Sequence, residues 1–207
     1  MPGVPLVTNW ILLRKIPFSE TSIIASGLSR DYGRVDFFLK GARAVQKRKF
    51  PHAELFREFE VQFYEPRSAE GLATIKLQEP VAYHDRIAEN PQNYLSACSL
   101  SSFLLRNTKQ MLPVPQTYNA FSAYLTRMET EKNTSPWQSL VLFTYLYENG
   151  FVPVDEECSS QEQNRSRVER LLNIALDSHY SLPPDKNGFW QKFNVWIDNL
   201  IHWNGLA

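Results

Sequence analysis

Cysteine is almost missing from this chain. The two that occur, Cys98 and Cys158, do not belong to any C-x-x-C pair, which excludes a disulfide framework and a four-cysteine zinc site and makes a reducing, cytoplasmic setting the default expectation. Long apolar runs are also lacking. No stretch approaches the roughly 20 residues that a membrane-crossing helix needs, and the N-terminus MPGVPLVTNW has no basic segment leading into an apolar one, so neither membrane insertion nor secretion is expected. Glycine is sparse, with eight residues, and none falls in a phosphate loop, a GxGxxG turn or a G-x-S-x-G elbow. The four histidines, His52, His84, His179 and His202, have no ligand-type spacing to the cysteines or carboxylates, and no catalytic cysteine signature is present. Glu156 and Glu157 beside Cys158 read as an acidic loop beyond a helix end. No enzyme, metal or cofactor is expected. Net charge is missing too, since 22 Lys and Arg balance 22 Asp and Glu.

What is present is apolar and aromatic. Hydrophobic residues make up 43% of the 207, including 13 Phe, 9 Tyr and 5 Trp, enough to bury two modest cores and too much for a disordered chain. The balanced charge is unevenly placed. Residues 1 to 50 hold nine Lys and Arg against three Asp and Glu, a net +6, whereas 51 to 80 and 81 to 207 come to −3 each. Between Lys40 and Lys49 there are five basic side chains and no acidic one. Such asymmetry lets one face attract phosphate while the rest stays soluble or meets another partner, although lysines on a strand edge also discourage edge-to-edge aggregation.

Up to about Val81 the pattern is that of strands. Leu6 to Ile16, Ser22 to Ser29, Arg34 to Leu39, Phe56 to Tyr64 and Leu72 to Leu77 are short runs rich in aromatic and β-branched residues, separated by turn formers. Val35, Phe37 and Leu39 alternate with Asp36, Phe38 and Lys40, the two-residue period of a strand with unlike faces. Asp31, Tyr32 and Gly33 suit a tight hairpin. Five strands in about 75 residues, with a long basic connection after the third, match an OB-type barrel, a fold that commonly binds single strands along one face. An SH3-like barrel is of similar length.

After about Asn90 the period becomes helical. Tyr94 to Leu105 and Tyr118 to Met128 form apolar stripes on either side of Pro113 and Pro115. A third helix begins after Thr134 and Ser135, with Pro136 in its first turn, and stops at Asn149 and Gly150. Its stretch Trp137 to Tyr147 is apolar nearly all round and should be central. Val168 to Leu176 and Phe189 to Ile201 give two more stripes. The fold class expected is α+β: a five-stranded OB-type barrel over residues 1–82, followed by an all-helical domain over 83–207.

Two strings resemble a known family. Pro17, Phe18, Ser19, Glu20, Thr21 and Ser22, then Leu28 to Arg34, then Lys40, Gly41, Ala42 and Arg43, look like the start of the N-terminal OB domain of the recombination mediator RecO. LVLFTYLYENGFVPVDEEC, from Leu140 to Cys158, is similar to that family's central helix, its glycine cap and the Pro-containing loop after it, with GLATIKLQEPV (Gly71 to Val81) between the two strings. Many members carry a four-cysteine zinc module after this loop. Here Cys158 is followed by Ser159, Ser160 and Gln161, so zinc is not expected. The resemblance implies a bacterial DNA repair and recombination protein. Such a protein would bind single- and double-stranded DNA, anneal complementary strands and help the RecA recombinase onto DNA coated by single-strand-binding protein, usually with RecR.

For such a protein the phosphate contacts expected are Arg14, Arg30, Arg34, Lys40, Arg43, Lys47, Arg48 and Lys49, with Lys40 and Arg43 foremost because Gly41 beside them permits close backbone approach. Phe38, on the strand face of Lys40, is the candidate for stacking on bases. Tyr32 is a second, and Phe37 should face the core. Trp137, Trp190, Trp196 and Trp203 sit at helical spacings and read as bundle core or a partner groove. The rival to this reading is a protein-interaction adaptor whose small barrel binds a peptide or RNA.

Overall fold

The computed structural model describes residues 4–44, 50, 52–66, 68, 71–131, 134–153, 161–182, 185 and 187–206. It forms the expected barrel followed by helices. Five strands, β1 (Leu6–Phe18), β2 (Ser22–Ser29), β3 (Gly33–Leu39), β4 (Glu58–Tyr64) and β5 (Thr74–Ala82), make one antiparallel sheet in the order β3-β2-β1-β4-β5. The sheet curls until its edges meet: Phe37 of β3 bridges in parallel to Ala73 just before β5, and the Ala73 N–H donates to the Asp36 carbonyl at 2.8 Å. That partial closure, with a parallel contact between the third strand and the fifth, is OB topology.

The inner face is filled by alternate residues of every strand. Trp10, Leu12, Ile23, Ala25, Val35, Phe37, Leu39, Phe59, Val61 and Phe63 form its core, each with less than a tenth of its surface exposed. The aromatic rings meet edge-on, Trp10 with Phe37 at 5.0 Å and Phe37 with Phe63 at 5.4 Å between centroids. The indole N–H of Trp10 donates to the Val35 carbonyl at 3.1 Å, so the largest core side chain leaves no polar atom unpaired. Gly27 lies under that ring. A Cβ there would stand 2.4 Å from the indole and 2.2 Å from the Ile11 carbonyl.

Two strand boundaries differ from the sequence pattern, for physical reasons. Phe56, read as the start of the fourth strand, has φ 63°, which breaks the extended run, and pairing begins at Glu58. The fifth strand runs on through Pro80 to Ala82. It stands at an end of the strand order, where a residue without an N–H is tolerated.

Helix α1 (Pro91–Asn107) follows a short 3-10 turn (Asp85–Glu89) and is capped by Asn90, whose side chain accepts from the N–H groups of Gln92 and Asn93. It packs against β1 and β2, covering part of the sheet's outer face. The sequence reading divides the chain at residue 82, where the strands end. By contact α1 goes with the sheet, and the two compact units are Met1–Pro115 and Gln116–Ala207.

The second unit holds α2 (Pro115–Met128), α3 (Ser135–Glu148), α4 (Gln161–Leu176) and α5 (Phe189–Trp203). α3 is its centre, buried from Pro136 to Leu146 without a break except at Gln138, and it packs against α4 and α5. It stops as expected at Gly150, φ 75°, where the N–H of Phe151 returns to the Leu146 carbonyl. The Thr134 side chain makes no cap bond to α3. Glu148, at the far end of α3, instead caps α2, accepting from the Gln116 and Thr117 N–H groups at 2.9 and 2.8 Å and from the Thr117 hydroxyl at 2.6 Å. Arg127 is 4% exposed. Its guanidinium lies 3.6 Å over the Trp137 ring and donates to the carbonyls of Asp177 and Tyr180, while burial lowers its pKa. Trp137 is therefore core, and Trp203 at the end of α5 is 72% exposed.

Candidate nucleic-acid interface

The outer face of β1, β2 and β3 takes its character from one irregularity. Leu12 pairs with Gly27, but Arg14 pairs with Ser26, so Leu13 is an extra residue in β1. A bulge of this kind shifts every later side chain to the other face. Without it Arg14, Ile16 and Phe18 would share the inward face of Leu12. With it they lie outside, and the Arg14 guanidinium donates to the Ser26 hydroxyl at 3.2 Å to confirm the placement.

Cross-strand partners then read as rows. The first is Ile11, Leu28 and Arg34, the second Arg14, Ser26 and Asp36, and the third Ile16, Ile24 and Phe38. Phe18 and Ser22 close the face. Ile11 and Leu28, at 0% and 1% exposed, are fully buried, while Ile16 is 42% and Phe18 51% exposed. One end of the face is thus covered and the other open.

The open end is held together locally. The turn after β1 contains Ser19, φ 55°, and the chain leaving β3 bends back through Gly41, φ 80°. There the Arg43 N–H donates to the Thr21 carbonyl at 2.8 Å, and an Arg43 guanidinium N–H reaches the Ser19 carbonyl at 3.4 Å. Arg14, Lys40 and Arg43 are all exposed, and the Arg43 clasp brings its guanidinium to the turn that follows Phe18. The ring of Phe18 meets that of Phe38 edge-on at 5.5 Å.

The other expected contacts stand apart from this corner. Arg30 is exposed in the turn between β2 and β3, at the opposite end of the hairpin. Arg34 is engaged with Asp36, Nη2 to Oδ2 at 2.6 Å and Nε to both oxygens at 3.2 Å, and its Nη1 donates to the Leu105 carbonyl at 3.2 Å. Gln110 completes the shell of Asp36 at 3.3 Å. Lys47, Arg48 and Lys49 lie outside the described residues. Tyr32 is half-buried at the rim of the core, where it packs edge-on with Phe63 at 5.6 Å. Phe37 is in the core at 0% exposed, as its strand parity requires.

Phe18, which shares the open corner with Phe38, is not singled out by the sequence reading. Its signal was the alternation Arg14, Ile16, Phe18, which Pro17 interrupts as a turn former. In the structure Pro17 pairs with Ile23 inside the strand. Arg57 holds Asp85 bidentately at 2.7 and 2.9 Å, which lowers the Asp85 pKa and raises that of Arg57, and burial raises the Cys98 thiol and the Tyr94 phenol. Among the described residues no group of three or more His, Cys, Asp or Glu stands close enough to hold a metal ion, and no helix is long and apolar enough to cross a membrane.

A five-stranded OB-type barrel with cations and open aromatic rings at one end of its outer face belongs to a class that binds oligonucleotides and oligosaccharides. Comparison with family models resolves the class further. Residues 6–84 match the model described as Recombination protein O N terminal. The match runs from the start of β1 to just past the end of β5, so the barrel is similar to the N-terminal domain of the RecO family.

Proposed function

We propose that this protein is a RecO-type recombination mediator: it binds single- and double-stranded DNA, anneals complementary strands and assists RecA loading on DNA covered by single-strand-binding protein, in company with RecR. The match over residues 6–84 carries this reading. Chemistry at the barrel supports it. Exposed cations take up phosphates and release counterions, giving affinity that tolerates any sequence and falls with salt. Lys40, Arg43 and Arg14 form the contact set at the open corner, with Lys47, Arg48 and Lys49 next in sequence. Arg30 extends the track to the far end of the hairpin. Arg34 is left out of the set because its donors already serve Asp36 and Leu105. The role needs no covalent chemistry, only the holding and pairing of strands.

The test is fluorescence anisotropy of the full chain with a labelled single strand at several salt concentrations, followed by addition of the complementary strand. Affinity should fall steeply with salt, and annealing should be faster than for DNA alone. Reversing Lys40 and Arg43 to Glu should flatten the logarithmic salt slope by about 1 to 2, the release expected for two phosphates of a single strand, with the circular dichroism of the folded chain retained. An affinity that ignores salt would favour the adaptor reading. No binding at low salt would remove the DNA-binding role.

A further inference from the structure

We propose that Phe18 and Phe38 form a stacking platform for unpaired bases, so that this corner of the barrel selects single-stranded over paired nucleic acid; the inference rests on the DNA-binding reading above and deepens it. Three observations point there. First, Phe18 is a large aromatic left 51% exposed in a barrel that buries Trp10, Phe37, Phe59 and Phe63 to 1% or less. Second, the ring has a fixed neighbour: it stands edge-on to Phe38 at 5.5 Å, and Phe38 lies in one cross-strand row with Ile24 and Ile16. Third, the charge around the rings complements a phosphodiester chain. Arg14 precedes the apolar row on β1 by one row, and Arg43 reaches the turn just beyond Phe18.

The carboxylates near the rings do not cancel this. Among the described residues of this face and the turn after β1, Asp36 is paired with Arg34 and Glu20 is exposed in the turn, against the exposed cations Arg14, Lys40 and Arg43. A backbone held by these cations would place its bases over the rings. Every base has a π-face, so the stack carries no sequence preference. In a duplex those faces are already stacked on one another and unavailable to the rings. An apolar peptide would also cover Ile16, Ile24 and the rings, but it would not call for the flanking cations.

The experiment compares one labelled oligonucleotide of mixed sequence, as a single strand and as a duplex, binding to the full chain at one salt concentration and then across a salt series. Phe18→Ala and Phe38→Ala should each weaken single-strand binding roughly tenfold, change duplex binding by less than about twofold, and leave the salt slope as in the wild type. Phe18→Leu keeps the apolar contact and removes the π-face, and should also lose single-strand affinity. Circular dichroism and melting check the fold. Phe18 is half-exposed, so its variants decide the matter if Phe38→Ala melts early. Wild-type-like binding by the Phe18 variants, equal losses on single strand and duplex, or full recovery in Phe18→Leu would overturn the platform while the DNA-binding reading stands. Absence of any DNA binding by the wild type would overturn both.

Discussion

Arg34→Ala separates an arginine that builds the barrel from those that meet phosphate. In the wild type Asp36 is 8% and Arg34 28% exposed at the side chain, and the pair is bidentate with a shortest contact of 2.6 Å. An exposed pair is worth about 0–1 kcal/mol, and removing one partner of a buried pair costs about 3–5 kcal/mol because a charge is left behind. This pair lies between, and Gln110 still reaches Asp36 at 3.3 Å, which softens the loss. The expected cost is about 2 kcal/mol, on the order of 6 °C in melting temperature for a chain of this size. Thermal unfolding followed by circular dichroism reads that directly. Asp36→Asn in the same background should recover part of it, since the stranded carboxylate is gone. Anisotropy with single-stranded DNA should then show Arg34→Ala binding with a wild-type salt slope. A variant that melts like the wild type and loses about one phosphate's worth of slope would refute the assignment and make Arg34 a contact residue.

Other perturbations reach other parts of the structure. Gly27→Ala sets a methyl 2.4 Å from the Trp10 indole and 2.2 Å from the Ile11 carbonyl, and should cost about 3 kcal/mol, read as an earlier urea midpoint with the slope unchanged. Glu148→Ala removes the acceptor for two backbone N–H groups and a hydroxyl at the start of α2 and should cost about 1–2 kcal/mol by the same measurement. Asp85 has its pKa lowered by the Arg57 hydrogen bond, so it contributes stability above the ordinary carboxylate range and loses it as pH falls through the folded value. The wild type should therefore exceed Asp85→Asn by no more than about 1 kcal/mol at neutral pH, with the gap closing in acid. A gap that widens as the pH falls would contradict the sign.

Much of the barrel was legible because burial on one face of a strand writes a two-residue period. Ser22 to Ser29 is the strand it reads as, and Val35, Phe37 and Leu39 go inward as their alternation requires. The helices were legible from apolar stripes, and the end of α3 from Gly150. The candidate site was legible in its charge but not in its geometry. A bulge at Leu13 has no residue signature, yet it decides which face carries Arg14, Ile16 and Phe18. Arg34 looked like its basic neighbours because the pattern shows a cation and not the carboxylate across from it. Phe18 was hidden by Pro17, and the cap of α2 by the 31 residues that separate Glu148 from Thr117.

The tip of the β2–β3 hairpin is finished by residues far ahead in the chain. Gly33 and Arg34 bridge to Gln110, the Arg34 N–H donates to the Lys109 carbonyl at 3.2 Å, and the Val114 N–H to the Arg30 carbonyl at 3.3 Å. During synthesis, then, the barrel strands emerge first but cannot lock their hairpin, or cover Ile11 and Leu28, until α1 and the segment after it have left the ribosome. A chain that ended soon after Ala82 would lack these bonds at the hairpin tip and the α1 contacts to β1 and β2.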